Sequence, residues 1–150
     1  MATSTLVQFL EAGEPASVMN RRQTETFIAG AAITAGDWVQ IDASQTGADK
    51  VLYAIQAGAT FALGNPLVVG VALTSAGAAG DPVEVCISGY VATANVAAAV
   101  NAAGIALVVD NTSAGRAVAL AAADTAGPCG VSLAAASVGN VGEVWVYKQF

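Results

Sequence analysis

The chain has 150 residues and a mass of 14.7 kDa, which suits one domain. Charged residues make up only 11% of it, against a usual share of about 25%. Its net charge is −6, with no His. That balance argues against a sequence-independent nucleic-acid binder, which needs Lys and Arg to displace counterions, and against attachment to an anionic membrane surface. Without His, Ser-His and Cys-His catalysis are excluded, and the commonest metal ligand is missing. A surface this poor in charge is expected to be covered by other chains, so the composition predicts a closed homo-oligomer.

Mean hydropathy is +0.63. The two stretches without charge, Val51–Gly80 and Val85–Val109, are both interrupted by Gly or polar residues. Neither offers the unbroken apolar run of roughly 20 residues that a spanning helix needs. The opening Met-Ala-Thr-Ser-Thr carries no positive charge, so no secretory signal is expected. Two cysteines are too few for a disulfide framework, and Cys86 and Cys129 read as small buried hydrophobes.

In chain order, residues 1–27 come first and read as an N-terminal arm ahead of a single β domain over 28–150. Leu6, Phe9 and Leu10 fall at helical spacing, and Ser4 would cap a two-turn helix ending near Gly13. Glu14-Pro15 then favours extended backbone. The apolar group and the adjacent bases make Leu6, Phe9, Leu10, Arg21 and Arg22 the candidate partner-binding residues. The same segment also fits a strap packed on the protein's own barrel.

From Phe27 onward, short apolar runs alternate with Gly, Asp, Asn and Pro. Strands are expected over Phe27–Ile33, Trp38–Asp42, Val51–Ile55, Val68–Leu73, Val83–Ile87, Tyr90–Thr93, Ile105–Val109, Ala117–Leu120, Val131–Leu133 and Val144–Lys148. Val83, Val85 and Ile87 alternate with Glu84, Cys86 and Ser88, the period-two signature of a half-buried strand. Many short strands between turn residues predict a mainly β protein, a small β-barrel or β-sandwich. The Ala-rich stretch Asn95–Gly104 fits either a short capped helix or a strand.

The chain also repeats itself. Gly36–Asp42 matches Gly104–Asp110, Gly70-Val71-Ala72-Leu73 matches Gly130-Val131-Ser132-Leu133, and Val83-Glu84-Val85 matches Val144-Trp145-Val146. The order of motifs is the same in both halves, which predicts two duplicated β-units sharing one core, too few for a solenoid.

Motifs for chemistry are thin. Asp42-Ala-Ser44-Gln-Thr46-Gly47 begins like a calcium loop, but Tyr53 stands at the twelfth place where a bidentate Glu belongs. Asp110–Gly115 has the same Asp and Gly spacing, and both read as hairpin turns in which Asp bonds its own backbone. Gly58 to Gly64 approaches phosphate-loop spacing but is one residue too long, and Asn65-Pro66 replaces the required Lys and Ser or Thr. The acid pairs Asp81/Glu84 and Asp37/Asp42 read as turn residues rather than a glycosidase pair. Lys50 and Lys148 read as surface charges. Trp38, Tyr53, Tyr90, Trp145 and Tyr147 would suit a sugar-stacking face, but aromatics on strands more commonly pack or line subunit interfaces. No catalytic residue, cofactor or metal is expected.

The runs Ala32-Ile33-Thr34-Ala35-Gly36-Asp37-Trp38-Val39, Val69–Leu73, Ala79-Gly80-Asp81-Pro82-Val83-Glu84-Val85 and Ser88-Gly89-Tyr90-Val91 resemble the head decoration, or capsid cement, proteins of tailed bacteriophages. The resemblance covers about residues 27–148. It implies a small β-barrel or β-sandwich on the capsid exterior, commonly trimeric, that binds major capsid protein subunits and performs no catalysis. It also implies synthesis in the host cytoplasm. Ile33–Val39 resembles as well the Gly-Asp-x-Val turns of lipoyl- or biotin-carrier and efflux-adaptor modules, although neither Lys sits beside a Met in a hairpin. A carbohydrate-binding β-module using the tryptophans is the remaining alternative.

Overall fold

A computed structural model describes residues 21–58, 65–97, 100–110, 112–121, 127–137 and 140–147. Nine strands run in the order β1 (Arg22–Ala29), β2 (Trp38–Ile41), β3 (Tyr53–Gln56), β4 (Val68–Ala72), β5 (Pro82–Asn95), β6 (Ala106–Val109), β7 (Ala117–Ala119), β8 (Gly130–Ser132) and β9 (Val141–Val146). The one helical element among the described residues is a 3-10 turn over Ala48–Leu52. The protein is mainly β, as the alternation predicts. Several boundaries differ from the sequence reading: Val51 and Leu52 lie in the 3-10 turn ahead of β3, the first strand ends at Ala29 rather than Ile33, and the last starts at Val141 rather than Val144. The first strand starts at Arg22 rather than Phe27, and the runs at Val83–Ile87 and Tyr90–Thr93 form a single 14-residue strand. The described part of Asn95–Gly104 is not helical: Asn95 ends β5 and Val96 bridges to β7.

The sheet order is β1-β3-β2-β4-β5-β9-β8-β6-β7, and an additional β1–β5 pairing closes the first five strands into a barrel. The two halves of the chain use one pairing pattern. In the first, β2 pairs antiparallel with β3 and β4, and β4 with β5. In the second, β6 pairs antiparallel with β7 and β8, and β8 with β9. β1 completes the first unit, parallel to β3 and antiparallel to β5. The second half of β5 takes the same part in the second unit, antiparallel to β9 and bridged in parallel to β7 at Val96↔Ala117. Even single bonds recur: Gly30 N donates to Ala54 O and Ala97 N to Ala117 O, each at 2.8 Å.

The register corrects one sequence match. Val71 faces Cys86 and Val131 faces Trp145, so Trp145 corresponds to Cys86 and Val144 to Val85. The Val-x-Val match of the sequence reading is two residues out.

Side-chain alternation then makes two cores. Phe27, Ile33, Val39, Val83, Val85 and Ile87 fill the closed barrel. Val96, Val100, Leu107, Val144 and Val146 form the second core, joined there by Trp38, Val68, Val71 and Cys86 from the outer face of the first unit. β4 is buried along its whole length because its two faces serve different cores. The pair Phe27↔Val83 of the first unit corresponds to Ala94↔Gly142 in the second. The second interior thus lacks bulk of its own, and Trp38 supplies it: a Cβ on Gly130 would lie 3.0 Å from the Trp38 ring.

Candidate interaction surface

Of the five candidate partner residues, Leu6, Phe9 and Leu10 lie outside the described residues. Arg21 is exposed just ahead of β1, and Arg22 is half-buried opposite Gly89 of β5. Gly89 has φ 110° and sits against the Arg21 backbone, so a side chain there would collide with the Arg21 carbonyl. The two arginines therefore stand where β5 passes from the first unit to the second. The structure places Arg22 on a barrel strand and Arg21 directly ahead of it.

The motifs weighed for chemistry resolve into local structure. Asp42 Oδ1 accepts from Ser44 N at 3.1 Å and Ser44 Oγ at 2.6 Å, and its Oδ2 accepts from Gln45 Nε2 at 2.7 Å. Asp110 repeats the turn: its Oδ1 accepts from Thr112 N at 2.8 Å and Thr112 Oγ1 at 2.7 Å, while Arg116 donates to Oδ2. Bonding by Ser44 holds the Asp42 carboxyl below its ordinary value, against burial. Burial pushes Asp110 up, and the bonds from Thr112 and Arg116 outweigh it, so that carboxyl too is lowered. Gln40 Oε1 accepts from Gly58 N at 2.9 Å and from Asn65 Nδ2, which ties together the two ends of the glycine-spaced loop.

The aspartates of the acid pairs also accept bonds from neighbouring turns and side chains. Asp37 is buried at the junction of the two units, accepting from Thr34 N, Gln56 Nε2 and Asn95 Nδ2 at 2.8, 2.6 and 2.7 Å. Asp81 caps its own turn through Ala78 N at 3.0 Å. Cys86 and Cys129 are free and buried. Burial pushes the Cys86 thiol up to about 11, over the opposing Ser88 backbone bond and the Arg22 charge, and pushes Cys129 up to about 12. Among the described residues no group of three or more His, Cys, Asp or Glu could hold a metal ion, and no helix is long and apolar enough to cross a membrane.

The aromatic residues divide. Trp38 is fully buried, its Nε1 without a partner. Tyr90 and Trp145 face each other across β5 and β9, half-buried, while Tyr147 is 37% exposed. Val144 and Val146 point into the second core, so Trp145 points outward. Val131 of β8 and Ala106 of β6 continue the same row. Sequence reasoning missed this row as a unit, because Val131 and Ala106 are unremarkable until the register aligns them with Trp145.

No family model matches the chain, and no curated protein matches it. Among solved structures, a chain of "The capsid of Myoviridae Phage XM1" superposes with a TM-score of 0.60, covering 94% of this chain and 92% of that one at 21% identity. The two chains share a fold. The likeness runs nearly end to end, so it includes both β-units rather than the closed barrel alone.

Proposed function

We propose that this protein is a structural component of a phage capsid, a decoration protein that binds major capsid protein subunits on the outside of the shell and stabilises it, without catalysis. The observation that carries the reading is the near full-length fold shared with a chain of a phage capsid structure. The sequence resemblance to capsid cement proteins points the same way from independent material, the Gly-Asp and Gly-Val-x-Leu runs of the first unit. The chemistry of the surface agrees: among the described residues the exposed large apolar ones are Val51, Leu52, Leu133 and Tyr147, and the whole chain has five basic and eleven acidic residues. Such a surface suits packing against proteins better than polyanions. In this reading the protein is made in the host cytoplasm, assembles as a homotrimer and uses the segment ahead of β1, with Arg21 and Arg22, toward the shell.

The test is addition of the purified chain to capsids that lack it. The expected result is saturable binding at a fixed ratio to the major capsid protein, with density outside the shell in cryo-microscopy. Absence of the chain from purified particles of the phage that encodes it, together with no binding to its empty shells, overturns the reading.

A further inference from the structure

We infer that the second β-unit stays folded only while seated on the first, and that β6 to β9 open from that seat as a separate cooperative unit while the closed barrel stays intact. The dependence between the two cores runs one way. Among the described residues, the barrel core extends from Phe27 to Ile87 and takes no side chain from β6 to β9. The second core takes Trp38, Val68, Val71 and Cys86 from the first unit, each at most 1% exposed. It needs them because Ala94 and Gly142 stand where the barrel has Phe27 and Val83, so the second unit buries less apolar surface of its own. Its ladders are also short: β6, β7 and β8 have 4, 3 and 3 residues, against 8 in β1.

The polar contacts of the seat gather at the turn ahead of β2. Asn95, at the end of β5, donates from its backbone N to Gly36 O at 2.8 Å and from Nδ2 to Asp37 Oδ1 at 2.7 Å. The β6–β7 loop docks beside it: Gly115 O accepts from Trp38 N and Gly115 N donates to Ala57 O, each at 2.9 Å. Gly115 has φ 73° and lies against the buried Asp37 carboxylate, where an added Cβ would fall 2.9 Å from Oδ1. Asp37 and Trp38, adjacent in the chain, are thus a polar latch and an apolar seat for the same unit. Releasing β6 to β9 breaks the Gly115 bonds, the β5–β9 ladder and the Trp38 packing, and leaves the β1–β5 ladder whole. The reverse order is closed, because loss of the barrel removes the strands that carry Trp38, Val68 and Val71. Opening also bares the outer face of the first unit, including the Cys86 thiol.

This device belongs to the isolated chain and holds whether or not the chain binds a shell. Native-state hydrogen exchange of the full chain in low urea, resolved by peptide mass spectrometry, tests it. Amides of β6, β8 and β9 should exchange together, at least about tenfold faster than those of β1, β2 and β4. Their urea dependence should be shallower than that of global unfolding, because only part of the buried surface is exposed. Asn95→Ala, and more strongly Gly115→Ala, should speed exchange in β6, β8 and β9 and leave β1, β2 and β4 unchanged. Asn95 is only half-buried, so its variant carries the test if Gly115→Ala does not fold. Exchange of all these strands at one rate, with the urea dependence of global unfolding, overturns the inference. So does an acceleration shared equally by both units in the folded variants.

Discussion

Trp38 is the side chain through which the first unit completes the core of the second, so its removal should destabilise both. It is fully buried, and its ring lies close to Gly130 of β8. Trp→Ala in a packed core costs about 3–5 kcal/mol. For a chain of this size each kcal/mol lowers the melting temperature by about 2–4 °C, giving an expected drop of about 6–20 °C for Trp38→Ala. Trp38→Phe should differ sharply. The indole Nε1 has no hydrogen-bond partner, so no bond is lost with it. Removing an unpaired buried N–H relieves about 1–3 kcal/mol, which offsets much of the lost ring burial, and a net change of within about 1 kcal/mol is expected. Gly130 gives a further control. Its Cβ would meet the Trp38 ring at 3.0 Å and the Trp145 carbonyl oxygen at 2.7 Å, so Gly130→Ala should cost less in the Trp38→Phe background than alone. Thermal melts followed by circular dichroism measure the wild type and all four variants. Trp38→Ala melting within about 2 °C of the wild type would refute the reasoning, because it would mean that the second core does not depend on that ring.

Gly70→Ala should be more damaging than Gly130→Ala although the two positions correspond, because a Cβ on Gly70 falls on the Cys86 carbonyl, where only backbone can give way; expression and melting of the two variants decide this. Asp42 and Asp110 have carboxyls lowered by folding, so the unfolded chain binds more protons in acid, and stability rises with pH there. Their contribution should be fully present above the ordinary value of 3.8 and lost as pH falls through the lower folded values, and Asp110→Asn should flatten that part of the melting-temperature profile. The raised Cys86 and Cys129 thiols should be silent to an aromatic disulfide reagent at neutral pH in the native protein and should both react on denaturation; native reactivity would mean that one of them is open to solvent.

The strands were legible because period-two alternation is a direct consequence of a sheet with one face in a core, as at Val83, Val85 and Ile87. The start of β1 was not. Gln23, Thr24, Glu25 and Thr26 are all exposed, so the strand has no apolar face for five residues and is held by its backbone pairing with β5. The repeat was legible in Gly-Val-x-Leu, while its last match slipped by two residues. A slip of two keeps every side chain on its own face, so apolar pattern cannot detect it and only the hydrogen-bond register does. The Asp-led turns were readable from residue type alone, since their bonds reach two or three residues along the chain. The row through Trp145 was not, because its members, Tyr90, Trp145, Val131 and Ala106, come from four strands.

The same comparison accounts for the asymmetry of the molecule. Corresponding positions hold Phe27 and Ala94, Val83 and Gly142, Trp38 and Ala106. In the first unit the large residue inside the barrel closes it as a self-sufficient core. In the second the small residues leave an interior that accepts Trp38 from outside. Trp38 and Ala106 then differ in what they reach: the bulky residue projects into the neighbouring unit, whereas the methyl group of Ala106 stays on its own sheet face, two strands from Trp145. Had both units kept a Phe27-like interior, neither would need the other and the chain would be two beads on β5. As it stands, β5 carries one interior on each half, and Gly89 lets its backbone pass from one to the other.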